Sequence, residues 1–303
     1  MFSSLWNWVI LHGFPALPFS PIFIYNKWLV QNNRRRGIMI RYIASDLDGT
    51  LLADGAQSIA PEIFDLILKL REQGIRFIAA SGRQYHSIRR LFGPVKDMIS
   101  YITENGSLCI HEGEVVSRGL IGRELGLEII GAGREYGDCH TLLSCESRHY
   151  TDSRNNAFVH HMRDVLHNDI AVVDDLCQVE EPFLKLAICD FQGTQKLDPF
   201  LKERFSDRIR VVTAGKEWVD FLAPDADKGK ALGMLLARLG IPAKEGIAFG
   251  DQYNDIEMLR FAGIGYAMKT AAPGVADYAD RVTESVANVL REIVETGGTL
   301  KAV

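Results

Sequence analysis

Apolar runs and polar breaks alternate along most of this chain with two periods. Ile38-Met39-Ile40-Arg41-Tyr42-Ile43-Ala44 is a nearly continuous apolar run and reads as a buried strand. Ile63, Leu66, Ile67 and Leu70 then recur at helical spacing. Pro61 suits the first turn of that helix and Gly74 its C-terminal stop. Residues 75–80 form a second buried strand. Strand, helix and strand joined by short links make a βαβ unit, which predicts a parallel sheet. A helix over about 85–92, a strand over 99–103 and a small hairpin series over 107–116 follow.

From about Leu120 to Val212 the regularity weakens into mixed short helices and strands. This stretch is expected to be a separate α+β module inserted into an α/β domain. Regularity returns with Asp220-Phe221-Leu222-Ala223-Pro224 and an amphipathic helix from about Lys228 to Gly240. Strands at 246–250 and 264–268 flank a helix, and a short 281–283 segment precedes a final helix from about Val286. The expected divisions are therefore 1–37, 38–119, 120–212 and 213–303.

Residues 1–37 differ from the rest. They are aromatic and apolar, punctuated by Pro15, Pro18 and Pro21, interrupted by Lys27 and closed by Arg34-Arg35-Arg36. The prolines, His12, Asn26 and Lys27 spoil a span of ~20 apolar residues, so a membrane anchor is disfavoured. A secretory signal fits worse, because no positive charge precedes the apolar part. The favoured expectation is a start near Met39, with 1–37 outside the working protein.

Composition narrows the function. The 303 residues are 47% hydrophobic and 24% charged, with net charge −5. A mildly acidic chain offers no whole-molecule attraction to nucleic acid. No stable protein partner is implied either. Five scattered cysteines without a C-x-x-C favour reduced thiols and a reducing compartment such as the cytoplasm. Cys139, Cys145 and His149 match no common zinc spacing, so buried thiols and surface histidines are expected there. Gly131-Ala132-Gly133 and Gly137 miss the dinucleotide fingerprint and suit a helix at least as well.

Chemistry concentrates where apolar strands end. Asp46 and Asp48 follow the first strand, and residues two apart on extended chain face the same way. Two such carboxylates need a cation or a shared proton. The competing reading is a strand that closes in an Asp48-Gly49 turn. Ser81 and Asp251 end two more strands, and ligands of parallel α/β sheets bind at that edge. The edge thus collects Asp46, Asp48, Asp251 and Asp255 with Asn254, Ser81 and Lys228. Oxygen-only ligands beside a phosphate select Mg2+. Backbone N–H groups at Asp48-Gly49 and Ser81-Gly82 can add to a phosphate seat. Ser81 could instead cap the next helix, Lys228 be a solvated lysine and Asp255 a helix-start residue.

Asp46-Leu47-Asp48-Gly49-Thr50, Ser81-Gly82-Arg83, Lys228-Gly229 and Gly250-Asp251-x-x-Asn254-Asp255 resemble the four ordered motifs of the haloacid dehalogenase superfamily. The inserted middle falls where that family's type IIB cap sits. Glu104-Asn105-Gly106 and Gly263-x-Gly265-x-Ala267-Met268 resemble its Cof-type sugar-phosphatase branch. The resemblance implies a Rossmann-like parallel core with an α+β cap. It implies Asp46 as nucleophile and Asp48 as general acid and base. It places Mg2+ on Asp46, Asp251 and the Asp48 carbonyl, with Asp255 orienting a metal-held water. The phosphate set would be Leu47, Ser81, Gly82, Lys228 and Asn254. The implied substrate is a small phosphorylated metabolite, most simply a sugar phosphate. A phosphomutase on the same scaffold and a non-catalytic binding protein are the rivals. One departure stands out: Thr270 replaces the usual Asn after Met268, and Lys269 adds charge.

Overall fold

The strand Tyr42–Ser45 is buried at every position, and both its neighbours in the sheet are parallel to it. Parallel strands are covered on both faces, so an uninterrupted apolar run is what such a strand requires. The computed structural model describes residues 37–52, 56 and 58–300. Met39–Thr299 form one compact unit. The other unit, Met1–Ile38 with Leu300–Val303, falls almost wholly outside the described residues, and with it the expectations for 1–36. Among the described residues no helix is long and apolar enough to cross a membrane.

The larger sheet has eight strands. From edge to edge they are Arg281–Thr283, Ile264–Met268, Gly246–Gly250, Tyr42–Ser45, Arg76–Ala80, Ser100–Thr103, Leu108–His111 and Glu114–Arg118. The first six are parallel and the last two turn back as antiparallel neighbours. The chain leaves Tyr42–Ser45 toward one edge and returns at Gly246–Gly250 on the other side. The switch point of the topology, where ligands bind, therefore lies between these two strands. Ser45 pairs with Phe249, and the Asp46 amide donates to the Phe249 carbonyl at 3.0 Å. Asp46 and Asp251 are adjacent because the register leaves them no other place.

The smaller sheet has six strands: Arg210–Ala214, Trp218–Leu222, Lys185–Cys189, His140–Ser144, His149–Thr151 and Ile170–Val172. Trp218–Leu222 is a correction to the sequence analysis, which gave it to the returning core. It is a central strand here, antiparallel to Lys185–Cys189. Alternate residues divide the two faces of a strand. Leu143, Leu186, Ile188, Val219 and Phe221 face the helices Arg123–Tyr136 and Thr194–Phe205, packing on Ile129, Ile130, Leu197, Leu201 and Phe205. Their neighbours Leu142, Lys185, Ala187, Trp218 and Asp220 take the opposite face. Gly131 and Gly133 lie inside the first of these helices, as their apolar surroundings suggest. All five cysteines are free thiols.

Candidate active site

The chain turns sharply after Asp46 because Leu47 is drawn into the core, where it is fully buried. The Leu47 carbonyl then accepts from the amides of Thr50 and Leu52 at 3.2 and 2.7 Å. Gly49 sits at φ +83°, and a Cβ there would meet Asp251 Oδ2 at 2.4 Å, so only glycine serves. This turn corrects one expectation. Asp46 and Asp48 are not side by side on extended chain. Asp46 is buried, whereas Asp48 is exposed and accepts from Arg83 Nε at 2.8 Å and Nη2 at 2.5 Å. That bidentate grip uses both oxygens of Asp48. Leu47 keeps only its backbone for a phosphate seat.

Lys228 opens the helix Lys228–Leu239, whose N-cap Asp227 accepts from the Lys230 amide at 2.7 Å. A lysine in a first helical turn opposes the helix dipole unless carboxylates answer it. Here two do: Lys228 Nζ donates to Asp46 Oδ1 at 2.7 Å and to Asp255 Oδ1 at 2.6 Å. Gly229 makes this approach possible, since a Cβ there would strike the Glu257 carbonyl oxygen at 2.6 Å. Lys228 is fully buried and is no solvated lysine.

Asp255 has two structural duties as well. Its Oδ1 serves Lys228 and its Oδ2 accepts the amides of Asp251 and Gln252 at 3.0 Å each. It holds the lysine and the Asp251 turn. Asp251 is buried and accepts from Thr50 Oγ1 at 2.7 Å and Gln252 Nε2 at 2.9 Å. Asp46, Asp251 and Asp255 each offer an oxygen within 4.8 Å of the others. Three buried carboxylates around one ammonium carry excess negative charge. Burial first, and Asp255 next, push Asp46 well above the usual carboxylate range against the pull of Lys228. Lys228 is held above the ordinary lysine value: burial opposes this, but Asp255 and Asp46 overcome it. A hard divalent cation on Asp46 and Asp251 fits this donor set and this charge.

Ser81 is almost wholly buried, and its Oγ accepts from the Arg83 amide at 3.2 Å. It closes a turn and does not cap the helix Tyr85–Leu91, whose N-cap is Gln84. Gly82 lies against Asn105, whose Oδ1 would be 2.8 Å from a Cβ. Asn254 Nδ2 donates to the same Asn105 oxygen at 2.9 Å. Thr270 and Lys269 are exposed, and Lys269 pairs with Glu284 at 2.5 Å. Neither lines the cavity at the site.

That cavity, about 390 Å³, is lined by Asp46, Asp48, Ser81, Gly82, Asn105 and Asn254 on one side. Its other wall is the face of the smaller sheet turned away from the helices: Leu142, His149, Lys185, Ala187, Trp218 and Asp220. The sequence analysis missed this wall, and it missed Arg83 and Asn105 as site residues. His149 is a correction, being buried rather than on the surface, with Nε2 2.8 Å from Glu104 Oε1. Lys185 Nζ lies 2.7 Å from Glu104 Oε2 and 3.7 Å from Asp220 Oδ2. Glu104 and Asn105 both have positive φ, +49° and +58°, a conformation that costs ~1–3 kcal/mol per residue and persists where packing dictates it.

The geometry has counterparts in known proteins. The sequence model of the haloacid dehalogenase-like hydrolase family matches residues 43–292. An Escherichia coli protein named 5-amino-6-(5-phospho-D-ribitylamino)uracil phosphatase is 27% identical over 78% of this chain and 88% of its own. A solved structure from Eubacterium rectale has a TM-score of 0.78 at 30% identity, covering 84% of this chain and 99% of its own. A haloacid dehalogenase-like hydrolase from Bacteroides thetaiotaomicron has a TM-score of 0.76 at 26% identity over 84% and 99%.

Proposed function

The chain belongs to the haloacid dehalogenase-like hydrolases and is a phosphatase of that family, and on that premise we propose that it is a Mg2+-dependent phosphomonoester hydrolase working through an aspartyl-phosphate on Asp46. The observation that carries this is one arrangement. Asp46 lines the cavity from the end of the central strand, with Lys228 and the buried Asp251 gathered behind it.

The Asp46 carboxylate attacks phosphorus and the bond to the leaving oxygen breaks. Asp48 gives that oxygen a proton, then takes one from the water that hydrolyses the aspartyl-phosphate and frees Asp46. Its exposed pair with Arg83 is weak enough to part for this. Lys228 fixes Asp46 and sets a permanent positive charge beside it. Ser81, Asn254 and the backbone of Leu47 and Gly82 hold the phosphoryl oxygens. Asp46, Asp251 and the Asp48 carbonyl would hold Mg2+, which when bound neutralises phosphoryl charge. The smaller sheet acts as a cap over the leaving group. A sugar phosphate or a similar ester of a hydroxyl-bearing carbon chain is the proposed substrate. The phosphorylated ribityl group in the name of the Escherichia coli relative supports that class.

Phosphate release from small phosphate esters is expected with Mg2+ and is expected to stop, reversibly, with EDTA. Asp46→Asn should keep its circular dichroism and lose roughly 10⁴-fold or more in turnover. Full activity in purified Asp46→Asn overturns the reading.

A further inference from the structure

The cavity runs on past Asp46 and Asp48 to the wall made by the smaller sheet, and the charge on that wall is already spoken for. Among the described lining residues, the permanent cations are Arg83 and Lys185. Arg83 is taken by both oxygens of Asp48. Lys185 stands between Glu104 and Asp220, two carboxylates against one ammonium. The register makes this arrangement obligatory. Lys185 pairs with Ser144 and Ser144 with His149, while Asp220 pairs with Ala187. Cross-strand partners share a face, so all these groups are turned to the same side.

Burial first, and Glu104 beside it, hold the Asp220 carboxyl above its usual range although Lys185 opposes this. A dianion brought against this wall would meet buried negative charge, and the wall's own cation, Lys185, is already held by carboxylates on two sides. A hydroxyl meets the opposite situation. Asp220 accepts, and His149, 3% exposed, lines the cavity and has a buried Nδ1 with no hydrogen-bond partner among the described residues. Leu142, Met162, Leu166, Ala187 and Trp218 supply apolar surface between these polar points. That mixture suits a carbon skeleton bearing hydroxyls.

We propose that this end of the cavity rejects a second anion, so that a monophosphate ester is cleaved and the matching bisphosphate is not. The inference rests on the phosphatase reading above and adds what that reading leaves open. Discrimination arises because a polar site left wrongly paired penalises the misfit more than extra contacts reward the fit.

The test is Mg2+-dependent phosphate release from a panel of sugar and polyol monophosphates, each beside its own bisphosphate, with p-nitrophenyl phosphate as a chemical control. The best monophosphate should exceed its bisphosphate in kcat/KM by roughly 30-fold or more. Asp220→Asn removes one of the two opposing carboxylates and should lower that ratio about tenfold in the folded variant. If that variant does not fold, the wild-type ratio alone decides. Cleavage of p-nitrophenyl phosphate with bisphosphates matching monophosphates, or with no monophosphate turned over, overturns this inference and leaves the phosphatase reading standing. An unmoved ratio in folded Asp220→Asn overturns it as well. Release from nothing on the panel, the control included, overturns both.

Discussion

Two buried lysines, each set between two carboxylates, serve one cavity, Lys185 as part of its wall and Lys228 behind Asp46, and they do different things. Lys228 contacts Asp46 and Asp255 at 2.7 and 2.6 Å within the parallel core. Lys185 contacts Glu104 and Asp220 at 2.7 and 3.7 Å and ties the core to the smaller sheet. In the first cluster the carboxylate facing the cavity is pushed up: Asp46, with Asp251 and Asp255 close by, is short of positive charge. In the second, burial would raise Glu104, but Lys185 and His149 overcome it and hold the group down at about 2. Glu104 is thus fully compensated and the leftover charge of its cluster falls on Asp220, whereas in the first cluster it falls on Asp46, with Asp251 beside it. A carboxylate answered by cations fixes structure; three buried carboxylates gathered around one ammonium make a place for a metal ion.

The largest test of this contrast exchanges each lysine for an isosteric apolar chain. Lys228→Met leaves carboxylates buried without their partner and should cost about 3–5 kcal/mol in urea unfolding. Turnover should fall about 10³-fold besides, because the fixed charge beside the nucleophile goes with it. Lys185→Met should lose stability on a similar scale but far less turnover of p-nitrophenyl phosphate, whose leaving group asks little of that wall. Equal loss of turnover in the two variants would erase the distinction.

A smaller effect sharpens it through pH. Glu104 lies at about 2 when folded against an ordinary 4.5, so its folded value is depressed. A depressed carboxyl contributes stability that is present above its unfolded value and lost as pH falls through the folded one. The window is therefore from about 4.5 down to about 2, and the contribution at neutral pH is about 3 kcal/mol. Glu104→Gln should be less stable by about that much at pH 7. It should also lack that part of the acid-driven decline. Denaturant melts at stepwise pH read both; a variant whose acid limb parallels the parent's would show Glu104 to be unimportant there.

The two clusters were unequally legible in the sequence. Asp46, Ser81 and Asp251 could be read because each follows an apolar strand, and a parallel sheet carries such ends to one edge whatever the loops do. Lys228 could be read because a cation in a first helical turn begs for partners. The second cluster could not. His149, Lys185 and Asp220 come from separate strands that only the antiparallel register of the smaller sheet aligns, and Glu104 meets them from the end of a core strand. Trp218–Leu222 shows why that register was hidden. A short apolar strand looks the same in either sheet, and pairing, not composition, assigns it. A cue did exist: lysine and aspartate alternate with apolar residues in Lys185-Leu186-Ala187 and Val219-Asp220-Phe221. The turn that carries Asp48 to the same cavity was hidden for another reason. Burying Leu47 outweighs keeping the chain extended, and Gly49 permits the turn.

The mildest test asks which cluster responds to Mg2+ itself, with no turnover involved. A ligand that binds only the folded state stabilises it by RT ln(1 + [L]/Kd), about 2.7 kcal/mol at a hundredfold excess over Kd. For a chain of this size that is a rise in Tm of roughly 5–10 °C. Asp251→Asn removes a charge from a crowded acidic corner, so the metal-free protein should hold or gain stability while the Mg2+-dependent rise disappears. Thr50 and Gln252 donate to different Asp251 oxygens, so the substituted amide can accept from Gln252 through its oxygen while its NH2 donates to the Thr50 hydroxyl, which turns to accept. Glu104→Gln should show the reverse: a lower starting Tm and an undiminished rise with Mg2+, because its carboxylate is already balanced by Lys185 and His149. Loss of the rise in both variants, or in neither, would mean that charge deficiency does not distinguish the lysine clusters and that the metal, if bound, sits elsewhere.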